Sequence, residues 1–374
     1  MALFEPPAPA DAPADRRARR RRLVGWSALL LAVLAAVVVA VLPSPYLVER
    51  PGPVFDTLGS AEYEGEDVPL ITIEGTETYP TAGSLDLLTV SVQGNVEQRP
   101  TWAQVLSAWF RPSLAVVPVE AIYPSGVSNE QVDEQNAVDM ENSQQAAIAA
   151  ALVHEGMTVP SSVVVSQVSA GGPAEGVLQV GDRILAVSGT SLESGADVDR
   201  LRGLVADAGT DAPADVVVER DGERQELEVT PASTDGSPPL LGVGVSVDYE
   251  FPFDVELRLD RVGGPSAGMM FALGIIDKTT PGELNGGLDV AGTGTITASG
   301  TVGGIGGIRQ KMYGALDAGA DVFLAPEANC GEVVGHVPDG LDVYAVDTLE
   351  QAVTTLETVG GGGDASGLPT CDAR

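Results

Sequence analysis

Residues 263–276 read GGPSAGMMFALGII, and residues 291–311 read AGTGTITASGTVGGIGGIRQK. The first stretch places Ser266 in a glycine-rich turn, directly before an apolar segment that is long enough for a helix. Glycine permits close backbone approach, and the start of a helix leaves backbone N–H groups unpaired. Such a turn suits a nucleophilic serine, because unpaired N–H groups can stabilise an oxyanion. We predict that the backbone of Gly264, Ser266 and Ala267 supplies these donors.

Two nucleophile patterns fit the residues around Ser266. Gly264, Ser266 and Gly268 match the G-x-S-x-G turn of α/β-hydrolases, and His336 follows in the order that those enzymes use. This motif is short and arises by chance in a chain with 45 glycines. The hydrolase turn also follows a fully buried strand, whereas residues 257–260 alternate apolar and charged side chains. The sequence therefore favours the second, longer pattern.

The second pattern joins the serine turn to a lysine. GGPSAG at residues 263–268 resembles the serine motif of the Lon-type proteases, and residues 293–311 resemble that family's sequence up to its catalytic lysine without a gap. The resemblance implies that Ser266 is the nucleophile and Lys311 the base. It also implies that Thr293 is a supporting hydroxyl near the lysine.

Composition supports the lysine assignment. Beyond the apolar N-terminal segment the chain holds 12 arginines and two lysines, Lys278 and Lys311. Arginine stays protonated and cannot act as a base, whereas burial moves a lysine toward its neutral form. We interpret Lys278 as an ordinary surface residue in a loop. At Gly263 many Lon proteases carry an acidic residue, and this difference affects the local geometry rather than the serine or the lysine.

Residues 161–231 have their own pattern of strands and turns. Residues 181–189 read GDRILAVSG, which resembles the GDxIxxVNG signature of PDZ domains, and the order of strands and helix around them fits that family. PDZ domains bind peptides by adding a strand to a sheet edge. No GLGF-like run precedes Val163, so a spacer or dimerising module is the alternative role.

The N-terminal region indicates a membrane segment. Six arginines precede residue 23, and residues 23–42 contain no charge. Twenty apolar residues cross a bilayer core of about 30 Å as a helix, and arginine-rich flanks stay in the cytoplasm. We predict a single-pass anchor in the cell membrane, with the N-terminus cytoplasmic and the body outside. A cleaved signal peptide is the alternative, because small residues surround Pro43.

Charge, motifs and cysteines limit the partners. From residue 43 onward the chain has 14 basic and 50 acidic residues, so no nucleic-acid partner is expected. The sequence contains no G-x-x-x-x-G-K-[ST] run and no HExxH, so we expect no ATP, no metal site and no cofactor. In an oxidising exterior Cys330 and Cys371 are a candidate disulfide, and two free thiols are the alternative.

The fold class that follows is α+β, with an N-terminal transmembrane helix and a Lon-type proteolytic domain that is preceded or interrupted by a PDZ domain. Residues 83–92 and 140–152 resemble a strand and a helix from the first part of the Lon proteolytic domain. The predicted boundaries are a cytoplasmic tail (1–22), the transmembrane helix (23–42), an extracytoplasmic N-terminal region that begins the Lon-like domain (43–157), the PDZ domain (161–231), a linker (231–239), the catalytic region (240–359) and a flexible tail (360–374).

Together these features resemble the membrane-anchored, PDZ-containing Lon-like proteases of Gram-positive bacteria. The resemblance implies an ATP-independent serine endopeptidase that acts on unfolded or flexible extracytoplasmic proteins or peptides, with a homo-oligomer as a further state to consider. The alternative function is a non-catalytic PDZ scaffold or substrate-binding protein at the cell surface.

Overall fold

The computed structural model describes residues 13–63, 65–124, 128–192, 198–233, 238–259 and 262–371. The first 12 residues of the predicted tail, residues 234–237 of the predicted linker and the last three residues of the chain lie outside this part. The described chain mixes helices and strands, as the sequence predicts. It divides into a smaller unit, residues 1–50 and 92–127, and a larger unit, residues 51–91 and 128–374.

The helices are α1 (Pro13–Val41), α2 (Trp102–Ala108), α3 (Val119–Ile122), α4 (Asn129–His154), α5 (Val198–Ala208), α6 (Gly268–Thr279), α7 (Ile308–Ala318), α8 (Cys330–Val333) and α9 (Leu349–Gly360). The strands are β1 (Tyr46–Asp56), β2 (Ser60–Tyr63), β3 (Glu66–Pro69), β4 (Ile71–Glu74), β5 (Ser84–Gln93), β6 (Ala115–Pro118), β7 (Ser161–Val168), β8 (Arg183–Val187), β9 (Thr190–Ser191), β10 (Ala214–Arg220), β11 (Glu223–Val229), β12 (Val243–Tyr249), β13 (Asp254–Leu257), β14 (Asp289–Gly292), β15 (Thr295–Ile296), β16 (Val302–Gly303), β17 (Val322–Pro326) and β18 (Asp342–Val346).

The smaller unit contains the apolar helix that the sequence predicts. Residues 19–41 of α1 are long enough to cross a membrane, as an anchor or as a signal sequence, and an 18-residue window within them has a mean hydropathy of 2.6. In the same unit, α2 begins at Thr101, whose side chain and that of Gln104 cap each other's backbone. The start of β1 pairs antiparallel with β6, and Val48, Val105 and Ala108 form a small core.

The larger unit contains the sheet of the PDZ-like segment. Its strand order is β11-β10-β8-β7-β12, with β9 beside β8. The edge strand β12 pairs antiparallel with β7, from Val243 opposite Val168 to Tyr249 opposite Ser161. Residues 243–249 fall within the catalytic region predicted for residues 240–359, because their sequence does not reveal which strand they pair with. Their valines pack against the core of this sheet, so the sheet extends beyond residue 231.

A second sheet in the larger unit supports the candidate site. Within that unit its order is β18-β17-β14-β5-β1. The strands β5 and β14 are parallel neighbours, with Ser84 opposite Asp289 and Leu87 opposite Gly292. One of these strands precedes the PDZ-like segment and the other follows it. Sequence on both sides of that segment therefore enters one sheet, which is the arrangement of an insertion.

Two helices pack beside this sheet and carry much of the core. Every residue of α6 from Gly268 to Asp277 is buried, in line with its apolar sequence. The helix α4 begins at Asn129, eleven residues before the helical segment 140–152 of the sequence analysis, because Ser128 and Gln131 form a capping box there. These two helices bring the serine turn against the second sheet.

The C-terminal segment, residues 360–371, contacts the domain at two points. Cys330 and Cys371 are joined as a disulfide. The carbonyl of Pro369 accepts a hydrogen bond of 2.9 Å from the backbone N–H of Ala345 in β18. Residues 360–371 thus return to the domain, because a strand edge and a covalent bond hold them.

Candidate active site

The turn that carries Ser266 is held from two sides. The Ser143 hydroxyl on α4 donates a hydrogen bond of 2.9 Å to the carbonyl of Pro265. The carbonyl of Ser266 accepts two hydrogen bonds of 3.0 Å, from the Thr293 hydroxyl and from the backbone N–H of Gly294. With its own backbone fixed in this way, Ser266 presents a half-buried hydroxyl at the start of α6.

Two glycines of this turn have no room for a side chain. A Cβ at Gly268 would lie 2.8 Å from both Ile296 Cγ2 and Ser143 Oγ. A Cβ at Gly263 would lie 2.7 Å from Cβ of Asn136 on α4. The acidic residue that many Lon proteases carry at this position would clash here. Glycine at 263 is therefore a consequence of how α4 packs.

Lys311 reaches the serine from the first turns of α7. The helix begins after Gly307, which has a positive φ of 69° and whose Cβ would lie 2.6 Å from Val90. Lys311 is only 2% exposed. Its Nζ donates hydrogen bonds of 2.8 Å to Ser266 Oγ and 3.0 Å to Thr293 Oγ1. The three predicted side chains therefore meet at one point.

The electrostatics of this point shift Lys311 toward its neutral form. Burial lowers the pKa of Lys311 from 10.5 to about 8. Both side chains that accept from its Nζ are uncharged hydroxyls, which do not offset the cost of burying a cation. In its neutral form the Nζ has a lone pair, and the Ser266 hydroxyl then becomes the donor of their hydrogen bond.

The predicted oxyanion donors need one correction. The N–H of Gly264 donates a hydrogen bond of 2.8 Å to the carbonyl of Asn136, so it is not free for a substrate. In the part of the chain that the structure describes, no acceptor is found for the N–H groups of Ser266 and Ala267. These two N–H groups precede the first turn of α6, where the helix itself offers no acceptor.

Two neighbouring cavities open beside the serine turn. The first, of about 470 Å³, is lined by Ser266 and Lys311 together with residues 87–91 of β5. The second, of about 490 Å³, lies between α4, residues 295–299 and the edge strand β12. Pro265 lines both cavities. A chain in the second cavity would therefore lie next to the nucleophile.

Two further sequence assignments can be compared with the structure. His336 is exposed, and its Nδ1 lies 3.1 Å from the carbonyl of Val334 rather than beside Ser266. Lys278 is not the surface loop residue that we predicted. It lies in the last turn of α6, half-buried, and its Nζ donates a hydrogen bond of 3.1 Å to the carbonyl of Leu58.

Comparison with known families agrees with the two resemblances. The Lon protease (S16) C-terminal proteolytic domain matches residues 261–358, and the PDZ domain matches residues 164–220. The chain therefore contains a Lon-type proteolytic domain and a PDZ domain. A Lon proteolytic domain implies a serine protease.

The relatives share the proteolytic domain. Lon protease 1 of Sorangium cellulosum is 38% identical over 93 residues, which cover 24% of this chain and 11% of that protein. Lon protease 2 of Herpetosiphon aurantiacus is 39% identical over 107 residues, covering 27% and 13%. The chain thus matches less than a fifth of the length of these curated relatives. The PDZ domain of an SdrC-like protein from Listeria monocytogenes covers 22% of this chain and 85% of its own, at 17% identity and a TM-score of 0.20.

Sequence reasoning missed the residues that position the Lon-type site. Ser143 and Asn136 hold the serine turn from α4, but Ser143 is 122 residues from its partner Pro265. Asn329 was also missed. Its side chain accepts a hydrogen bond of 2.9 Å from the N–H of Ile305 and donates one of 2.8 Å to the carbonyl of the same residue, just before α7. The sequence around Asn136, Ser143 and Asn329 does not distinguish these residues from polar residues on the surface.

Proposed function

We propose that the chain is a serine endopeptidase in which Ser266 and Lys311 form a catalytic dyad. The observation that carries the proposal is the buried Lys311 Nζ, which lies 2.8 Å from Ser266 Oγ. A lysine that is 2% exposed and has a pKa of about 8 is partly neutral near neutral pH. It can then accept the serine proton.

The reaction follows from this geometry. Neutral Lys311 takes the proton of Ser266 while Oγ attacks the peptide carbonyl carbon. The negative charge moves to the carbonyl oxygen, where the N–H groups of Ser266 and Ala267 stabilise it. Lys311 then gives its proton to the leaving amine as the peptide bond breaks. In the second half a water molecule loses a proton to Lys311 and attacks the acyl-enzyme, and Ser266 leaves with that proton.

Thr293 positions the base, Lys311. Its hydroxyl donates to the Ser266 carbonyl and accepts from Lys311 Nζ, and the side chain is completely buried. A hydroxyl whose proton is already committed to the carbonyl can only accept from the lysine. Thr293 therefore aligns Nζ with Ser266 Oγ without competing for the serine proton.

The substrates are extended or unfolded chains. The edge strand β12 lines the cavity of about 490 Å³ that reaches Pro265. An edge strand can bind an extended peptide as an additional strand, which would bring protein substrates to the serine. The sequence contains no nucleotide-binding motif G-x-x-x-x-G-K-[ST], so we propose that cleavage does not depend on ATP.

We place the enzyme at the cell membrane, with α1 as a single-pass anchor and the catalytic body outside. The six arginines before residue 23 support a cytoplasmic N-terminus. The disulfide between Cys330 and Cys371 supports an oxidising compartment for the body. Digestion of the body by a protease added to intact protoplasts would support this topology. Full protection would contradict it.

A serine-directed probe tests the proposed chemistry. The full chain in detergent is incubated with a fluorophosphonate and separately with an unfolded protein. We expect the label on Ser266, and we expect Ser266→Ala to lose both the label and the cleavage. His336→Ala serves as the matched control and should retain both. A folded protein with neither labelling nor cleavage would support the non-catalytic PDZ scaffold instead.

The role of the PDZ domain has its own test. The N–H of Glu250 donates a hydrogen bond of 2.9 Å to the carbonyl of Pro160, so the two ends of the inserted segment meet. Deleting residues 161–249 should therefore leave the proteolytic domain intact. Cleavage of short peptides should persist, while cleavage of unfolded proteins weakens. An unchanged ratio of the two activities would contradict substrate recruitment by the PDZ domain.

A further inference from the structure

The charges of the chain beyond α1 are unevenly distributed. In the smaller unit, residues 43–50 and 92–127 hold three basic and three acidic residues. The larger unit holds 11 basic and 47 acidic residues. The segment that follows the membrane helix is thus electrically neutral, while the remainder is strongly acidic. Only the neutral segment can approach an anionic lipid surface without repulsion.

The same neutral segment exposes large apolar side chains. Leu106, Trp109 and Phe110 are 45%, 61% and 85% exposed. Leu106 and Phe110 are four residues apart, with Trp109 between them, and they project from α2 and its C-terminal end. On another side of α2, Val105 and Ala108 are buried in the small core. We call Leu106, Trp109 and Phe110 the interfacial stripe.

This exposure is not a general property of the surface. Among the described residues of the larger unit, the exposed large hydrophobic side chains are single aliphatic residues, namely Val138, Val153, Val180, Leu240 and Val337. Scattered aliphatic residues are normal on a protein surface. Exposed tryptophan and phenylalanine side by side indicate a surface that is covered in use.

The stripe is tied to the end of the membrane helix. The N–H of Trp102 donates a hydrogen bond of 3.1 Å to the carbonyl of Leu42, directly after α1. The N–H of Ser44 donates one of 2.9 Å to the carbonyl of Pro100, and Pro43 bridges to Thr101. The helix α2 thus begins where the membrane helix ends, so its exposed side chains lie at the level of the bilayer surface.

We propose that the interfacial stripe inserts into the outer membrane–water interface and forms a second attachment beside α1. This inference rests on the proposed anchoring of the chain by α1. Tryptophan is enriched at that level of membrane proteins, because its ring is apolar and its N–H remains near water. Two attachments to the membrane restrict rotation of the rest of the chain about α1. The partner of this surface is therefore lipid, and a second copy of the chain is the competing occupant.

Tryptophan fluorescence of the full chain in phosphatidylcholine vesicles tests the proposal. The variant Trp26→Phe and the double variant Trp26→Phe/Trp109→Phe are compared, so that their difference isolates Trp109 and leaves Trp102 unchanged. We expect a blue-shifted difference spectrum that is quenched by lipids brominated near the headgroup and protected from acrylamide. Val337→Trp in the double variant is the control, and it should be quenched by acrylamide alone.

Flotation of the vesicles separates the possible failures. If the chain floats with the lipid but Trp109 behaves like the control at position 337, the interfacial stripe is wrong while the anchor stands. If Trp109 is protected from acrylamide yet insensitive to brominated lipid, a second copy covers the stripe and the lipid proposal is overturned. If the chain does not float, the anchor itself fails and the stripe proposal fails with it.

Discussion

Lys311, which reaches from α7 to the start of α6, and Lys278, in the last turn of α6, differ in what surrounds their ammonium groups. Near the N-terminal end, Lys311 contacts the hydroxyls of Ser266 and Thr293. At the C-terminal end, Lys278 contacts the carbonyl of Leu58. Burial lowers the pKa of both lysines. At Lys278 the carboxylates of Asp56 and Asp277 oppose this shift and offset part of it.

This difference shows how one chain obtains both a base and a structural cation from the same residue type. Burial without a counter-charge lowers the pKa of a lysine, whereas neighbouring carboxylates offset part of that shift. The effect depends on individual neighbours rather than on net charge. The chain carries a formal charge of −33, yet burial is the cause of the shift at Lys311, and no carboxylate among the described residues opposes it.

The largest expected effect separates the two lysines by activity. Lys311→Arg keeps a positive charge but cannot release a proton near neutral pH, so cleavage should fall by about a hundredfold to ten-thousandfold. Lys278→Arg keeps the charge beside its carboxylates and should leave the rate nearly unchanged. The measurement is kcat/KM on an unfolded protein substrate. Equal losses of kcat/KM in both variants would contradict a catalytic role that is specific to Lys311.

The pH dependence of cleavage sharpens the comparison. Since the base must be neutral, kcat/KM should rise about tenfold per pH unit below the pKa of Lys311 and level off above it. The expected bend is at about 8, the pKa that burial produces. Lys278→Arg should show the same bend. A bend at lower pH that is lost in His336→Ala would support a histidine base instead.

Methionine variants should separate the two lysines by the size of their effect on stability. The pKa of Lys311 is lower in the folded than in the unfolded state, so its burial costs stability below about pH 8 and this cost disappears as the pH rises toward 10.5. Lys311→Met should therefore raise the free energy of unfolding by about 1–3 kcal/mol at pH 7. Lys278→Met should raise it by less, because the attraction of Asp56 and Asp277 offsets part of the burial cost at Lys278. Urea unfolding at pH 7 and pH 10 measures both values. A decrease for Lys311→Met that is the same at both pH values would contradict a buried, protonated lysine.

The smallest effect concerns the alignment of the base. Thr293→Val removes the acceptor for Lys311 Nζ and the donor to the Ser266 carbonyl, and we expect about a tenfold loss of kcat with little change in KM. Thr293→Ser retains the hydroxyl and should recover most of the rate. If Thr293→Ser is as slow as Thr293→Val, packing of the methyl group rather than the hydroxyl holds the site.

The part of this protein that could be predicted from its sequence is local. Ser266 and Lys311 stand in motifs whose spacing identifies them, and the apolar runs of α1 and α6 indicate helices by length and composition alone. The strands β7, β8, β10 and β11 follow from strand-like runs separated by turns. These features depend on residues that are near one another in the chain, so the sequence contains the information.

Contacts between distant segments were decided only by the tertiary structure. No local pattern in the sequence identifies β7 as the partner of β12. The N–H of Gly264 donates a hydrogen bond to the carbonyl of Asn136, which removes one predicted oxyanion donor. This contact depends on where α4 packs. The burial of Lys278 depends in the same way on where Leu58 and Asp56 meet the end of α6. Burial, and with it the pKa and the hydrogen-bond partner of each group, results from three-dimensional packing, which short-range sequence patterns do not encode.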